Sequence, residues 1–374
     1  MEHVRKNPMY LYLVILTIAS TVGLQAWTTL FNNFAVEVSG LDGDGIGIIQ
    51  SVREIPGFLA LLAIFVIRLI PEHRLSALSI LMLGLGIAAT GFFPSFTGLA
   101  LTTLLMSFGF HYYETTNMSL TLQYFDKQAS PWVFGKLRSI SAASSIIVGL
   151  FIFFMAAVLD YATMYMIIGG LIAAVALWGF SRKPAGVGMV SQRKRMIFRR
   201  RYWLYYFLTF MAGARRQIFM AFAVLLLVQK FNYSVQTVTI LFVANNSVNF
   251  FLSPLIGRAI IRFGERRVLS LEYTSLIVVF LAYAATDSKW VAGCLYILDH
   301  IFFNFSMAIN TFFQKMGDSR DVAPTMAVGF TINHIAAVFL PAIGGYLWIV
   351  DYRIPFISGS VMALISLAAV QRIR

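Results

Sequence analysis

The chain has 374 residues, 59% of them hydrophobic and 12% charged, with a mean hydropathy of +0.77. An ordinary soluble domain is about 45–50% apolar and about 25% charged, so this chain lacks the charge to wet its surface, and a soluble globular fold is excluded. The formal net charge of +13 arises from 29 Lys and Arg against 16 Asp and Glu. Its placement along the chain assigns it to one membrane face and not to a nucleic-acid partner.

A membrane span takes about 20 apolar residues, so twelve spans consume roughly 240 and leave about 130 for loops, too few for a soluble domain. Apolar runs broken by short polar or Gly/Pro stretches place helices at 9–36, 46–68, 75–93, 97–125, 133–158, 161–180, 203–229, 234–262, 267–286, 289–315, 322–348 and 354–370. Lipid offers no partners to backbone N–H and C=O groups, and the runs are too long for barrel strands, so the spans are helices. Met1 to Pro8 carries no cleavage motif ahead of a run that continues past Ala26, which reads as a retained first span and not a signal peptide. The single cysteine, Cys294, sits in an apolar run and provides neither a disulfide framework nor a cysteine metal site.

Orientation follows from the retention of Lys and Arg on the cytoplasmic side. With the N-terminus inside, cytoplasmic segments hold 23 basic residues, the external loops three (Lys230, Lys289, Arg353) and the spans three. The external loops also hold six acids, Glu37, Asp42, Asp44, Asp160, Asp287 and Asp351. Both termini are therefore expected in the cytoplasm of a cell whose inner or plasma membrane carries the protein.

The longest connector, Ser181 to Arg201, has eight basic residues, no acids, and Pro184, Gly186 and Gly188. It divides the chain into an N-terminal six-helix bundle (1–180), a basic cytoplasmic linker (181–201) and a C-terminal six-helix bundle (202–374). The linker reads as a tether that fixes topology; an anionic-lipid site is the alternative. The halves show traces of duplication. Glu72-His73-Arg74-Leu75 recurs in type as Glu265-Arg266-Arg267-Val268, 193 residues later, and shifts of 192 and 189 carry Gln25 onto Gln217 and His111 onto His300.

A charge near the bilayer centre costs about 2.5–3.5 kcal/mol on insertion scales, so it is normally paired or faces a polar cavity. Counted by span, the membrane holds three cations, Arg53, Arg215 and Arg216, and three anions, Glu54, Glu114 and Asp299, together with His111, His300 and His334. At helical spacing His111 shares a face with Glu114, Asn245 with Asn249, and His300 with Asn304, whereas Arg215 and Arg216 diverge by about 100°. Two readings stay open. The six charges are structural ion pairs, or span seven supplies an arginine to an anionic or polar substrate while Glu114 or Asp299 carries a coupling proton and Arg53/Glu54 form an outer gate.

At the cytoplasmic end of span eight the sequence runs Gly257-Arg258-Ala259-Ile260-Ile261-Arg262-Phe263-Gly264-Glu265-Arg266-Arg267. This resembles the Gly-x-x-x-Asp-Arg-x-Gly-x-Arg-Arg loop of the major facilitator superfamily, with Ile261 at the Asp position. Pro341-Ala342-Ile343-Gly344-Gly345 in span eleven is similar to that family's Pro-x-x-Gly-Gly bend. The resemblance implies an all-α fold of twelve transmembrane helices in two pseudo-symmetric six-helix bundles. It implies a gating role for Gly257, Arg262, Gly264, Arg266 and Arg267. It also implies a central site lined by spans one, four, seven and ten, where Gln25, Glu114, Arg215 or Arg216, and Asp299 would converge.

The expected function is secondary active transport of a small polar or anionic solute by alternating access, coupled to protons. The alternatives are a receptor-like sensor, a membrane-embedded enzyme, or a drug or metabolite efflux pump. The enzyme is disfavoured because no histidine, acid or hydroxyl cluster has metal-ligand or nucleophile spacing. Efflux is disfavoured because His111 stands near the span-four position where the family's drug antiporters have an arginine. No phosphate-binding glycine loop points to ATP. The expected partners are an unidentified small solute, membrane lipids and protons; no cofactor, metal or nucleic acid is expected, and the chain is expected to act as a monomer.

Overall fold

The computed structural model describes residues 2–41, 43–184, 192–193, 195–233 and 235–373, with the side chains of 2, 3, 43, 44, 47, 221, 235, 236, 238, 239, 337–339, 341 and 342 left aside. Asp42, Gly186, Gly188 and Lys194, and the side chains of Asp44 and Pro341, therefore lie outside the described residues. Among the described residues there is no strand.

Among the described residues twelve long helical rods follow one another: α1 (Pro8–Glu37), α2 (Gly43–Phe58, extended by the 3-10 turn Leu59–Leu62 and Ala63–Ile67), α3 (Glu72–Thr90), α4 (Phe96–Tyr124), α5 (Ser130–Met155), α6 (Tyr161–Ser181), α7 (Arg200–Gln229), α8 (Val235–Phe263), α9 (Glu265–Ala285), α10 (Lys289–Met316), α11 (Val322–Val350) and α12 (Arg353–Val370). Each end lies within three residues of the range expected from hydropathy. Ten rods are long and apolar enough to cross a membrane among the described residues; α4 and α11 are the other two. In α4 the hydropathy is diluted by buried Thr102, Thr103, Ser107, His111, Thr115, Thr116 and Asn117. Local chemistry sets several starts: Asn7 accepts the N–H of Met9, Ser95 that of Gly98 and Asp160 that of Thr163, each filling an orphan donor of a first turn. The two hydrogen bonds from Thr163 hold the Asp160 carboxyl below the usual carboxylate range.

The rods form two compact units. Unit one comprises 1–126, 140–197 and 319–331. Its axis is α3, packed against α4 and α6. Glu72 opens α3, is 9% exposed, and accepts the Gln123 amide at 2.7 Å from the end of α4. Unit one also holds the described linker residues 181–184, 192–193 and 195–197. Arg193 N–H donates to Arg320 O at 2.8 Å, its guanidinium donates to the fully buried Asp321 carboxylate, and Gln192 Nε2 donates to Ser319 O at 2.8 Å. Gln192 Oε1 accepts the Ala323 N–H at 3.1 Å, so the linker caps the first turn of α11.

Unit two comprises 127–139, 198–318 and 332–374. Its apolar core gathers Phe219, Phe222, Leu226, Phe280, Tyr296 and Phe356 from α7, α9, α10 and α12. In lipid such a core stabilises by close packing, since hydrocarbon outside is as apolar as the side chains within. The first turns of α5 pack on α8: a Cβ on Gly257 would lie 2.4 Å from Pro131 O and one on Gly135 2.5 Å from Ser253 O. Gly264, at φ +79°, turns the chain from α8 into α9 in a conformation that favours glycine. Glu265 opens α9, is 5% exposed, and meets Lys315 Nζ at 2.7 Å from the end of α10. This repeats the Glu72–Gln123 contact of unit one at shifts of 193 and 192 residues.

Candidate functional site: one guanidinium between two buried carboxylates

The rod α7 is irregular where its charge lies. Its α-helix Trp203–Gln217 widens into a π-helix over Ile218–Ala223 before α geometry resumes at Val224. Such insertions concentrate at functional sites because they break the backbone ladder locally. Arg215 sits three residues before the widening and is 3% exposed. Its Nη1 donates to Ser366 Oγ of α12 at 2.6 Å, its Nη2 to Glu272 Oε1 of α9 at 3.4 Å, and its guanidinium lies 4.4 Å from the Tyr273 ring centroid.

Arg215, Glu272 and Asp299 line one small pocket with Ala212, Phe219 and Phe303. Both acids are buried, at 1% and 2% exposure, and Glu272 Oε2 and Asp299 Oδ2 have no hydrogen-bond partner. With both acids ionised, one guanidinium would face two carboxylates and leave an uncompensated negative charge, which costs several kcal/mol in a low-dielectric surround. One proton shared by the two acids removes that charge.

A second polar network lies between α8, α10 and the start of α5. Asn249 Nδ2 is 2.6 Å from His300 Nε2, Asn304 Nδ2 donates to Asn249 Oδ1 at 2.5 Å and to His300 O at 2.8 Å, and Arg138 Nε donates to Asn304 Oδ1 at 2.8 Å. Asn304 opens a 3-10 turn, Asn304–Ser306, in the middle of α10. Asn245, one turn from Asn249, is 2% exposed.

The remaining sequence candidates are distributed as follows. Arg216 is half-buried and does not line the pocket, and His334, on α11, is buried. In unit one Arg53 and Glu54 pair with each other at 2.8 Å while both remain part-exposed, and the Arg53 guanidinium lies 5.5 Å from the Trp27 ring. His111 Nδ1 is 2.9 Å from Ser107 Oγ, and Ser107 Oγ also donates to Arg53 O. Glu114 is half-buried one turn from the buried His111, and Gln25 donates to Thr29 Oγ1 at 3.1 Å. Of the loop residues, Gly257 and Gly264 serve close approach and turn, Arg266 donates twice to Gln371 Oε1 at 3.2 and 3.1 Å, and Arg262 stacks on Phe263. Arg267 is exposed and, among the described residues, makes no hydrogen bond, ion pair or ring contact.

Glu272 and Arg138 are absent from the residues that the sequence singled out. Glu272 lies seven residues into α9 and Arg138 eight into α5, so each is inside a rod. An acid isolated within the apolar run from Leu269 to Ala285 is the signal that marks Glu272. For Arg138, Lys136 two residues before it and the nearby loop make the position read as a helix end.

The fold is shared with solved transporters. The human organic anion transporter MFSD10 (TETRAN) superposes with a TM-score of 0.77 at 12% identity, covering 98% of this chain and 99% of that one. The E. coli fucose:proton symporter FucP gives 0.79 at 11%, covering 97% of each. A bacterial homologue of the iron transporter ferroportin, in an outward-facing state, gives 0.75 at 13%, covering 97% and 98%. No curated protein sequence matches the chain significantly. The sequence profile of the Major Facilitator Superfamily matches residues 13–319, most of the chain, so the chain belongs to this superfamily and is a multi-pass membrane transporter and not an enzyme.

Proposed function

We propose that the chain is a proton-coupled secondary transporter that moves a small polar or anionic solute by alternating access across the inner or plasma membrane, with both termini cytoplasmic. The observation that carries the coupling is the pocket in which Arg215 faces both Glu272 and Asp299. One proton on this trio gives an electroneutral group, and its loss frees a carboxylate to compete for the guanidinium. The paired Glu72–Gln123 and Glu265–Lys315 contacts support a duplicated origin, with halves 1–180 and 202–374 joined by the basic linker 181–201. The loop charge asymmetry supports the orientation. Two structural neighbours are described as a fucose:proton symporter and an organic anion transporter; at 11% and 12% identity they lend the fold and not their cargo.

The test is uptake into proteoliposomes under an imposed proton gradient, using a solute selected by its stabilisation of the purified protein. Glu272→Gln and Asp299→Asn should each lose gradient-driven accumulation while retaining solute exchange at zero gradient. Undiminished gradient-driven accumulation in both variants would remove proton coupling from this pocket.

A further inference from the structure

We infer that unit two contains a hydrogen-bonding subsite, built by Asn245 of α8 and His300 of α10, for an uncharged polyhydroxylated solute. The inference rests on the transporter reading above and names the chemical class of its cargo.

Unmet hydrogen-bond capacity points to the site. Asn245 is 2% exposed, and both its Nδ2 and its Oδ1 are buried with no partner. A buried amide left bare on both atoms is costly, and folded proteins keep such groups chiefly where something else satisfies them. Asn245 lies on the same helical face as Asn249, whose amide reaches His300 at 2.6 Å and so ties this face of α8 to α10. Because Asn249 Nδ2 can only donate, His300 Nε2 accepts, and the proton of the neutral ring is on Nδ1, which is also buried without a partner. The free valence is therefore one amide acceptor, the amide donors, and one imidazole donor.

That set selects a class of ligand. A carboxylate or phosphate only accepts and would leave Asn245 Oδ1 bare; an ammonium only donates and would leave the Asn245 amide N–H groups and His300 Nδ1–H bare. Hydroxyl groups do both, and two on adjacent carbons meet an acceptor and a donor together. The buried cation of the neighbouring pocket adds no pull for an anion, since Arg215 already faces Glu272, Ser366 and the Tyr273 ring.

The experiment compares alditols with aldonates of the same chain length, which differ in one charged terminus, as stabilisers of the purified full-length protein in thermal unfolding. Alditols should raise the unfolding temperature and aldonates should not. Asn245→Leu, which replaces an unsatisfied amide by an apolar group of similar volume, should raise the unfolding temperature of the ligand-free protein and abolish the alditol shift. Asn245→Ser should fold and raise the half-saturating alditol concentration at least tenfold. Stabilisation by aldonates equal to that by alditols, no stabilisation by any alditol, a retained alditol shift in Asn245→Leu, or a ligand-free Asn245→Leu less stable than the parent would each overturn the assignment. Binding is read without any gradient, so loss of proton coupling at Glu272 and Asp299 leaves this result standing, and the reverse also holds.

Discussion

Replacing Arg215 by Gln removes the only cation among the described residues that line its pocket and keeps a side chain of similar reach. At 3.4 Å from Glu272, an effective dielectric of 20 gives an attraction of about 5 kcal/mol. Removing one member of a buried pair costs about 3–5 kcal/mol, because the partner is left as an uncompensated charge. The contact with the Tyr273 face adds up to about 2 kcal/mol in a desolvated setting, and the hydrogen bond to Ser366 adds to it. The glutamine amide recovers part of the hydrogen bonding, so Arg215→Gln should destabilise the protein by about 3–5 kcal/mol. Glu272→Gln should cost less, since Arg215 keeps Asp299 in the same pocket. In the double variant the two losses should not add, and a coupling energy of about 2–3 kcal/mol should appear, as expected for groups in direct contact. Chemical denaturation of the four proteins in one detergent measures all terms. An Arg215→Gln protein as stable as the parent, or losses that add within about 0.5 kcal/mol, would refute the reasoning.

Three further expectations concern the scaffold. Gly257→Ala places a Cβ 2.4 Å from Pro131 O and should destabilise by about 1–3 kcal/mol in the same denaturation assay, whereas Gly149→Ala, where nothing lies within 4 Å, should be neutral or slightly stabilising. Arg193→Gln leaves the buried Asp321 without its guanidinium and loosens the linker from α11; it should cost about 2–3 kcal/mol and speed tryptic cleavage between residues 182 and 201, and Asp321→Asn in the same chain should restore much of the loss. In the turn between α9 and α10 Asp287 meets Lys230 Nζ at 2.8 Å, which lowers its pKa, so the stabilising contribution is complete above the ordinary Asp value near 4 and is lost as pH falls through the lowered one. The difference in unfolding temperature between parent and Asp287→Asn, present at neutral pH, should therefore shrink once the pH falls below the ordinary Asp value; a difference that stays unchanged in strong acid would contradict the pairing.

Hydropathy alone determined the helical class and the order of the twelve rods, because the requirement to satisfy every backbone group inside lipid leaves a long apolar run no other structure. The recurrence of Glu72 as Glu265 was also legible, since the two residues open α3 and α9 193 positions apart. The candidate site was legible only in pieces: Arg215, Asp299, Asn245 and His300 stand out as polar residues in apolar runs, but a single run carries no record of which neighbour it will face. Tertiary structure decided that Arg215 and not Arg216 enters the pocket, that Glu272 stands opposite it, and that the π-turn of α7 lies beside it. It also decided that residues 127–139 pack with unit two, where Arg138 reaches Asn304, and that linker residues Gln192 and Arg193 cap α11. The physical reason is separation along the chain: hydrophobic periodicity is set by residues a turn or two apart, whereas these contacts join side chains tens to more than a hundred residues apart and exist only once the helices have packed.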